Sequence, residues 1–334
     1  MILVTGGTGL VGAHLLVTLT KTEAVVRATR RADSDLKKVA QIFSYYSDDY
    51  TKQFQKIEWV VADINDIPAL ELAFEGITQV YHCAALISFN PKDYSKLLKI
   101  NAEGTANMVN LCLAFKIKKL VYVSSIATTG KELHSDIVNE ESEWTNKDAN
   151  VYALTKYEAE MEVWRGSQEG LPVVIFNPGV ILGPGFWNSG SGLFFKSAAK
   201  EYSYYPPGGT GFITVNDVVK LLILGMNSTI DKERFIAISE NKTYKEILYA
   251  ICENLKIASP TKELKLWQLQ LLRRLDWIRS VLTNKQRKIT GNTVKSLSEN
   301  KVYNNKKLVE TFNYEFEALD KTIAFSCRKF KEES

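Results

Sequence analysis

Short apolar runs rich in β-branched residues alternate with longer segments of helical periodicity over the first half of the chain. The runs predict strands at 2–5, 24–29, 57–62, 79–83, 120–124 and 173–176, and the periodicity predicts helices at 11–21 and 102–115. Such alternation is typical of a parallel sheet with helices packed on both faces. The sequence therefore predicts an α/β fold with a doubly wound parallel sheet.

The pattern changes after Gly179. Residues 179–211 are rich in glycine, proline and aromatic residues, and this composition predicts loops. We therefore expect residues 1–178 to form the main domain, with 212–240 returning to it. The stretch 179–211 and residues 241–334 are expected to form a smaller, mostly helical lobe.

Two apolar features of this lobe each leave two interpretations open. The aromatic residues at 186–187, 194–195 and 202–205 either line an apolar pocket or form core between the lobes. The segment 261–297 is helical, basic and amphipathic, and its apolar residues near one face are Trp267, Leu271, Leu272, Leu275 and Ile278. It is either a helix packed within the lobe or, because it combines tryptophan with arginine, a helix on a membrane surface.

The composition narrows the class of protein. The chain has 334 residues, of which 45% are hydrophobic and 24% charged, as is usual for a globular protein. The net charge of +4 is small and the basic residues form no dense arm, so we expect no nucleic-acid partner. No apolar run reaches the roughly 18 residues that a membrane-spanning helix needs. The first residues show no charged n-region, so we expect no cleavable secretion signal.

The cysteines and histidines carry little further signal. The four cysteines lie far apart without a Cys-x-x-Cys pair, and the three histidines show no metal-ligand spacing. We therefore expect a reducing, cytoplasmic location and no metal site.

The most specific local motif is a glycine-rich turn between the first strand and the first helix. The residues of this turn that are expected to contact a ligand are Thr5, Gly6, Gly9, Leu10, Val11 and Gly12. Gly6 permits the tight turn, Gly9 lets the backbone approach a pyrophosphate, and Gly12 allows close contact between helix and strand. The free N–H groups and positive dipole of the helix would then bind the phosphates of a dinucleotide.

The motif Thr-Gly-x-x-Gly-x-x-Gly resembles the N-terminal signature of the extended short-chain dehydrogenase/reductase family. That resemblance covers nearly the whole chain and is most specific over its first 185 residues. It implies a Rossmann-type sheet for the dinucleotide-binding domain of residues 1–178 and a substrate-binding role for the smaller lobe. It also implies a homodimer formed through the helices that flank the active site.

The end of the second strand predicts which dinucleotide binds. An NAD site usually places an acid there for the ribose 2′-hydroxyl, but this chain has Arg27, Arg30 and Arg31, followed by Lys37 and Lys38. A guanidinium suits a 2′-phosphate by charge and by bidentate geometry. The segment resembles the NADP-selecting segment of plant dihydroflavonol and cinnamoyl-CoA reductases. We therefore predict NADP(H) as the preferred cofactor, bound through Arg30, Arg31 and Lys38, with NAD(H) as the alternative.

Further cofactor contacts follow from the family resemblance. After the third strand, Asp63 and Ile64 form an Asp–hydrophobic pair that would contact the adenine. After the fourth strand, the small residues Ala84 and Ala85 would pass the adenosine. At the ends of two later strands, the residues beside the nicotinamide would be Ser124, Asn177, Pro178 and Val180.

Three residues make up the predicted catalytic group. Tyr152 and Lys156 are spaced i, i+4 and share a helix face, and Ser125 ends a predicted strand where α/β sheets bind ligands. The ammonium is expected to lower the tyrosine pKa from about 10, so that Tyr152 acts as general acid or base. Ser125 would bind the substrate oxygen, and Lys156 would also hold the nicotinamide ribose.

A fourth residue, Asn101, matches the asparagine that the family keeps in the intervening helix. For this residue a helix-packing role and a proton-relay role stay open.

Three functions compete at this stage. The first is reduction of a carbonyl, or oxidation of a secondary alcohol, on a small and apolar substrate, as in the dihydroflavonol-reductase and 3β-hydroxysteroid-dehydrogenase branch. The second is epimerisation of a nucleotide-diphospho-sugar with a tightly bound cofactor, and the third is a non-catalytic NAD(P)-binding regulator. Ile126 and Ala127 replace the acidic pair of the dehydratases, and the apolar run after Asn177 is more similar to the reductases. The intact Tyr152–Lys156 pair disfavours the regulator.

Overall fold

A computed structural model describes residues 1–130, 137–147, 149–283, 287 and 289–333. Its strands, in chain order, are β1 (Ile2–Thr5), β2 (Val26–Arg30), β3 (Ile57–Val61), β4 (Gln79–His82), β5 (Lys119–Val123), β6 (Ile137–Val138), β7 (Val173–Pro178), β8 (Val180–Leu182), β9 (Tyr204–Tyr205), β10 (Gly209–Thr214), β11 (Glu233–Ala237), β12 (Glu240–Thr243), β13 (Lys262–Glu263) and β14 (Val302–Tyr303).

The helices, in chain order, are α1 (Leu10–Thr22), α2 (Leu36–Ser44), α3 (Tyr50–Phe54), α4 (Ile67–Phe74), α5 (Tyr94–Leu97), α6 (Gly104–Ala114), α7 (Val151–Gln168), α8 (Gly192–Ala198), α9 (Val215–Asn227), α10 (Tyr244–Leu255), α11 (Leu266–Thr283), α12 (Gly291–Ser298), α13 (Lys306–Phe312) and α14 (Leu319–Glu332).

In the described residues, seven parallel strands form the central sheet in the order β11-β7-β5-β4-β1-β2-β3. The predicted doubly wound α/β fold is confirmed. The strand order reverses direction between β1 and β4, and ligands of open α/β sheets bind in the crevice at such a switch point. The carboxyl ends of β1, β4 and β5 therefore define where a site is expected.

Both faces of the sheet are buried. Successive side chains of a strand point to opposite faces, so Ile2 and Val4 join the core beneath α1, α2 and α9, while Leu3 joins the core beneath α4, α6 and α7. This explains why the strands read as continuous apolar runs rather than as alternating patterns.

The prediction of loops over 179–211 is wrong in part, because this stretch contains β8, α8, β9 and the start of β10. A three-stranded sheet, β12-β10-β8, is the centre of the smaller lobe. A Cβ atom on Gly179 would lie 2.3 Å from the carbonyl oxygen of Gly211. The glycines thus allow close packing of backbone against backbone, and do not mark a loop.

The aromatic stretch of the lobe belongs largely to its core. Phe195 is fully buried, Trp187 packs against Phe195 and Phe330, and Phe194 packs against Phe212. Tyr202 and Tyr204 are exposed instead.

The segment 261–297 is not one continuous helix, since β13, α11 and α12 divide it. The side chain of Thr290 accepts a hydrogen bond from the backbone of Thr293 and caps the start of α12. Within the described ranges, no helix combines the length and the apolar character that crossing a bilayer requires.

Candidate active site

The glycine-rich turn lies at the carboxyl end of β1 and leads into α1. Gly6 has a φ of +69°, and a Cβ atom on it would lie 2.7 Å from the backbone nitrogen of Ala84. A Cβ atom on Gly12 would lie 2.2 Å from the carbonyl oxygen of Gly6. Both positions therefore require glycine for the turn to fold against the helix.

The N-terminus of α1 fits a phosphate ligand. Gly9 is its N-cap and offers no side chain to the first turn, in which Leu10 and Val11 present backbone N–H groups. Thr5, by contrast, is fully buried, and its hydroxyl bonds to Nδ1 of His82 at 2.7 Å. Thr5 thus ties β1 to β4 beneath the turn.

The basic residues after β2 divide into two groups. Arg27 faces away from the turn, donating to the carbonyl oxygens of Ala73 and Glu75 at the end of α4 and pairing with Glu58. Arg30 and Arg31 lie at the carboxyl end of β2. Among the described residues, Nη1 of Arg30 donates to the carbonyl oxygen of Arg31, and the buried Nε of Arg30 has no hydrogen-bond partner.

Arg31 and Lys38 are exposed. The guanidinium of Arg31 lies 3.4 Å from the carboxylate of Asp33. Burial raises the pKa of Glu333, and the charge of Lys38 opposes that rise, which places Lys38 near the end of the chain. Arg30, with its unpaired nitrogen, is the arginine best placed for an anion.

The predicted adenosine contacts lie along the same edge of the sheet. Asp63 follows β3, is exposed, and accepts a hydrogen bond from the backbone nitrogen of Asn65. Ile64 packs against Gly104 at the start of α6. Ala84 and Ala85 follow β4, and Ala84 lies directly opposite Gly6.

Ser125 and Tyr152 meet at the carboxyl end of β5. The Oγ of Ser125 accepts a hydrogen bond from the backbone nitrogen of Ala127 at 3.1 Å, which leaves its hydrogen to be donated. Tyr152 lies in the first turn of α7, which is capped by Asn150. Burial raises the pKa of Tyr152 to about 12, and a hydrogen bond with Ser125 opposes the rise.

The expected lowering of the Tyr152 pKa by the ammonium of Lys156 is therefore wrong, because burial raises this pKa instead. The physical reason is the position of Lys156, whose Nζ donates to the hydroxyl of Tyr122 at 2.5 Å and to the carbonyl oxygen of Val123 at 2.9 Å. Lys156 is almost wholly buried, and burial lowers its pKa to about 7 while Glu160 opposes that change. Tyr122 was missed by the sequence reasoning, which considered only side chains after the strand.

Glu160 is a second residue that sequence reasoning missed. It is fully buried on α7, one turn beyond Lys156, and its carboxylate accepts hydrogen bonds from four side chains. The donors are Ser124 (2.5 Å), Thr128 (2.8 Å), Asn177 (2.8 Å) and Arg234 (3.2 Å). The spacing of Tyr152, Lys156 and Glu160 by four residues each is the signal that could have found it.

Ser124 and Asn177 are therefore held by Glu160. Asn177 also donates to the carbonyl oxygen of Ser125, and its buried Oδ1 has no partner within the described residues. Pro178 ends β7 and Val180 begins β8, so these residues line the same end of the sheet as Ser125.

Asn101 lies in a π-helical turn, Leu98–Glu103, ahead of α6. Its amide accepts from the nitrogen of Leu86 at 2.8 Å and donates to the oxygen of Leu86 at 3.0 Å and to Thr155 at 3.2 Å. Such turns are frequent at functional sites. These contacts occupy both ends of the amide and attach the loop after β4 to α7, which favours the packing role.

Comparison with known proteins identifies the family to which the chain belongs. Residues 4–204 match the model of an NAD-binding family described as male sterility protein. The chain belongs to that family. The resemblance to extended short-chain dehydrogenase/reductases is confirmed, and the chain is an NAD(P)-dependent oxidoreductase of this type.

Two curated relatives of this extended short-chain dehydrogenase/reductase are similar in sequence. A putative dihydroflavonol 4-reductase from Synechocystis is 29% identical over 278 residues, which cover 79% of this chain and 75% of the relative. Sterol demethylase protein B from Methylococcus capsulatus is 28% identical over 253 residues, covering 74% of this chain and 72% of the relative.

Among solved structures, a UDP-glucose 4-epimerase from Thermotoga maritima shares the fold of this extended short-chain dehydrogenase/reductase. The TM-score is 0.77 at 17% identity, and the match covers 99% of each chain. At this identity the likeness bears on the fold alone.

Proposed function

We propose that this enzyme reduces a carbonyl group of a small, apolar substrate with NADP(H), and that Tyr152 acts as the general acid. The observation that carries the proposal is the contact between Ser125 and Tyr152 at the carboxyl end of β5, one helical turn from the buried Lys156. A substrate oxygen between the two hydroxyls would accept a hydrogen bond from Ser125 and a proton from Tyr152.

The proton transfer needs a charged partner for the tyrosine. Lys156, once protonated and turned from Tyr122 toward Tyr152, would stabilise the phenolate that remains after the proton leaves. Glu160 supports the protonated state, since its charge raises the pKa of Lys156 against the effect of burial. When bound, the nicotinamide supplies the hydride to the carbonyl carbon.

The residues present fit this cofactor. The uncapped N-terminus of α1, the unpaired Nε of Arg30 and the unpaired Oδ1 of Asn177 are polar groups that lack partners in the described chain. We propose that Arg30 and the exposed Arg31 bind the 2′-phosphate of NADP(H), with Asp63, Ile64, Ala84 and Ala85 along the adenosine, as the family resemblance implies.

The apolar character of the substrate is supported by the loop after β4. The ring of Phe89 lies edge-on to that of Tyr152, with 5.7 Å between centroids, and Phe89 and Ile87 are exposed beside it. The names of the two curated relatives refer to a dihydroflavonol and a sterol, both of which present fused rings with large hydrophobic surface.

The deciding experiment compares Tyr152→Phe with the unaltered enzyme. We expect turnover of a flavonoid or steroid ketone to fall by the ~10²–10⁴-fold typical of a lost acid or base. Thermal stabilisation by NADPH should persist and exceed that by NADH. Tyr157→Phe is the matched control, because Tyr157 lies on the same helix and its ring stacks on that of Trp144.

Two outcomes would contradict the proposal. Near-normal turnover by Tyr152→Phe removes this residue from the acid role, and stabilisation by UDP-sugars instead of ketones assigns the site to an epimerase. Equal stabilisation by NADH overturns the cofactor preference alone.

A further inference from the structure

The helix α11 presents an apolar face to solvent. Nine of its eighteen residues are large apolar side chains that are 38% to 79% exposed. They are Leu266, Trp267, Leu271, Leu272, Leu275, Trp277, Ile278, Val281 and Leu282. A contiguous apolar surface of this kind is uncommon on a monomer and marks a site of association with a protein or a membrane.

The opposite side of α11 attaches it to the molecule. Leu269 and Asp276, spaced seven residues apart on one stripe, are its buried residues. The carboxylate of Asp276 accepts hydrogen bonds from Arg279 at 2.7 Å and from the backbone nitrogen of Ile289 at 2.9 Å. The helix is thus fixed in an orientation that directs its apolar face outward.

Basic groups lie next to this face. Arg273, Arg274 and Arg287 surround Trp277 in an open cleft of about 290 Å³, and among the described residues no acidic side chain lines it. The only acid in α11 is the buried Asp276. Two exposed lysines, Lys262 and Lys265, precede the helix, with one exposed acid, Glu263, between them. The surface therefore combines apolar side chains with guanidinium groups that suit phosphate oxygens.

We propose that α11 binds the surface of an anionic phospholipid bilayer. Its apolar side chains would enter the boundary between headgroups and acyl chains, and the arginines of the cleft would contact lipid phosphates. Tryptophan favours this boundary, since its ring is apolar and its N–H polar. A second copy of the chain fits less well, because a two-fold interface would oppose the arginine clusters of both copies.

The experiment is flotation of the full chain with large unilamellar vesicles of phosphatidylcholine, prepared with and without phosphatidylglycerol. We expect binding to the anionic vesicles that weakens as salt is added. Leu271→Ser with Ile278→Ser should weaken binding at least about tenfold. Arg273→Gln and Arg274→Gln should each weaken it about fivefold. The matched control is Ile67→Ser with Leu72→Ser, which removes two exposed apolar residues from α4 and should bind as the unaltered chain does.

Three results would overturn the proposal. The first is that the unaltered chain does not float with anionic vesicles and stays in solution. The α4 control could lose as much binding as the α11 variant. Light scattering after gel filtration could show a dimer that Leu271→Ser with Ile278→Ser dissociates, with no vesicle binding, which would assign the face to a second copy.

Discussion

Two helices of eighteen residues, α7 and α11, place polar and apolar residues in ways that a simple amphipathic pattern does not predict. In α7 the charged residues Lys156 and Glu160 are buried. In α11 large apolar residues such as Trp267 and Leu275 are exposed. Both departures carry a free-energy cost, because buried charges lose hydration and exposed apolar surface orders water.

The two helices differ in which groups offset this free-energy cost. Every polar contact of Glu160 lies within the chain, in Ser124, Thr128, Asn177 and Arg234. The exposed face of α11 has no comparable cover in the described residues. The hydrogen-bond partners of the buried Glu160 thus belong to this chain, whereas the exposed apolar face of α11 indicates a binding partner outside the chain.

The largest expected effect is that of Glu160→Ala. Removing one partner of a buried charge pair typically costs about 3–5 kcal/mol of the free energy of unfolding. Arg234 would lose its carboxylate partner, and Ser124, Thr128 and Asn177 would each lose one acceptor. Denaturant unfolding measures this loss. The control is Glu169→Ala on the same helix, whose pair with Arg165 is exposed and contributes roughly 0.3–0.5 kcal/mol. Equal losses for the two variants would contradict the assigned role of the buried network.

A smaller effect is expected for Asp276→Ala in α11. The substitution leaves the backbone nitrogen of Ile289 and the guanidinium of Arg279 without this acceptor, at a cost of about 1–3 kcal/mol. Because this contact attaches the helix, hydrogen exchange of the α11 amides should accelerate more than that of the central sheet. Asp276→Asn keeps an acceptor and should show less acceleration; uniform exchange across the chain would argue against a local attachment.

The sequence was sufficient for the parts of the fold that depend on periodicity. The strands of the central sheet and helix α1 follow from apolar runs and from the glycine turn, because both signals are local. The small sheet was not predicted. Gly179 allows close backbone contact with Gly211, which lies 32 residues further along the chain. Composition alone suggests a loop there.

The site was partly predictable for the same reason. Ser125, Tyr152 and Lys156 were located by spacing and position, and their assigned roles stay predictions. The four-residue spacing from Lys156 could have located Glu160, which lies on the same helix. Tyr122 lies on another element, and no local pattern specifies its contact with Lys156. The pKa of Tyr152 was misjudged because burial and the direction of the lysine side chain are tertiary properties.

The smallest expected effect concerns Tyr122→Phe. The Tyr122 hydroxyl accepts a hydrogen bond from the Lys156 ammonium, so its removal disfavours the charged form and should lower the pKa of Lys156 below about 7. A lost hydrogen bond of about 0.5–1.5 kcal/mol corresponds to roughly half to one pKa unit. If the protonated Lys156 holds the nicotinamide ribose, NADPH affinity should fall as pH rises through this pKa. In the variant, the midpoint of that fall should move to lower pH by the same amount.

The matched control is Tyr81→Phe, the same change at a buried tyrosine on the neighbouring strand β4. A general loosening of the sheet would weaken NADPH binding in both variants at every pH and would leave the midpoint in place. A midpoint that moves only in Tyr122→Phe separates the electrostatic effect on Lys156 from such loosening. An unchanged or raised midpoint in Tyr122→Phe would mean that this hydroxyl does not stabilise the ammonium, and the buried side of α7 would then depend on Glu160 alone for its charge balance.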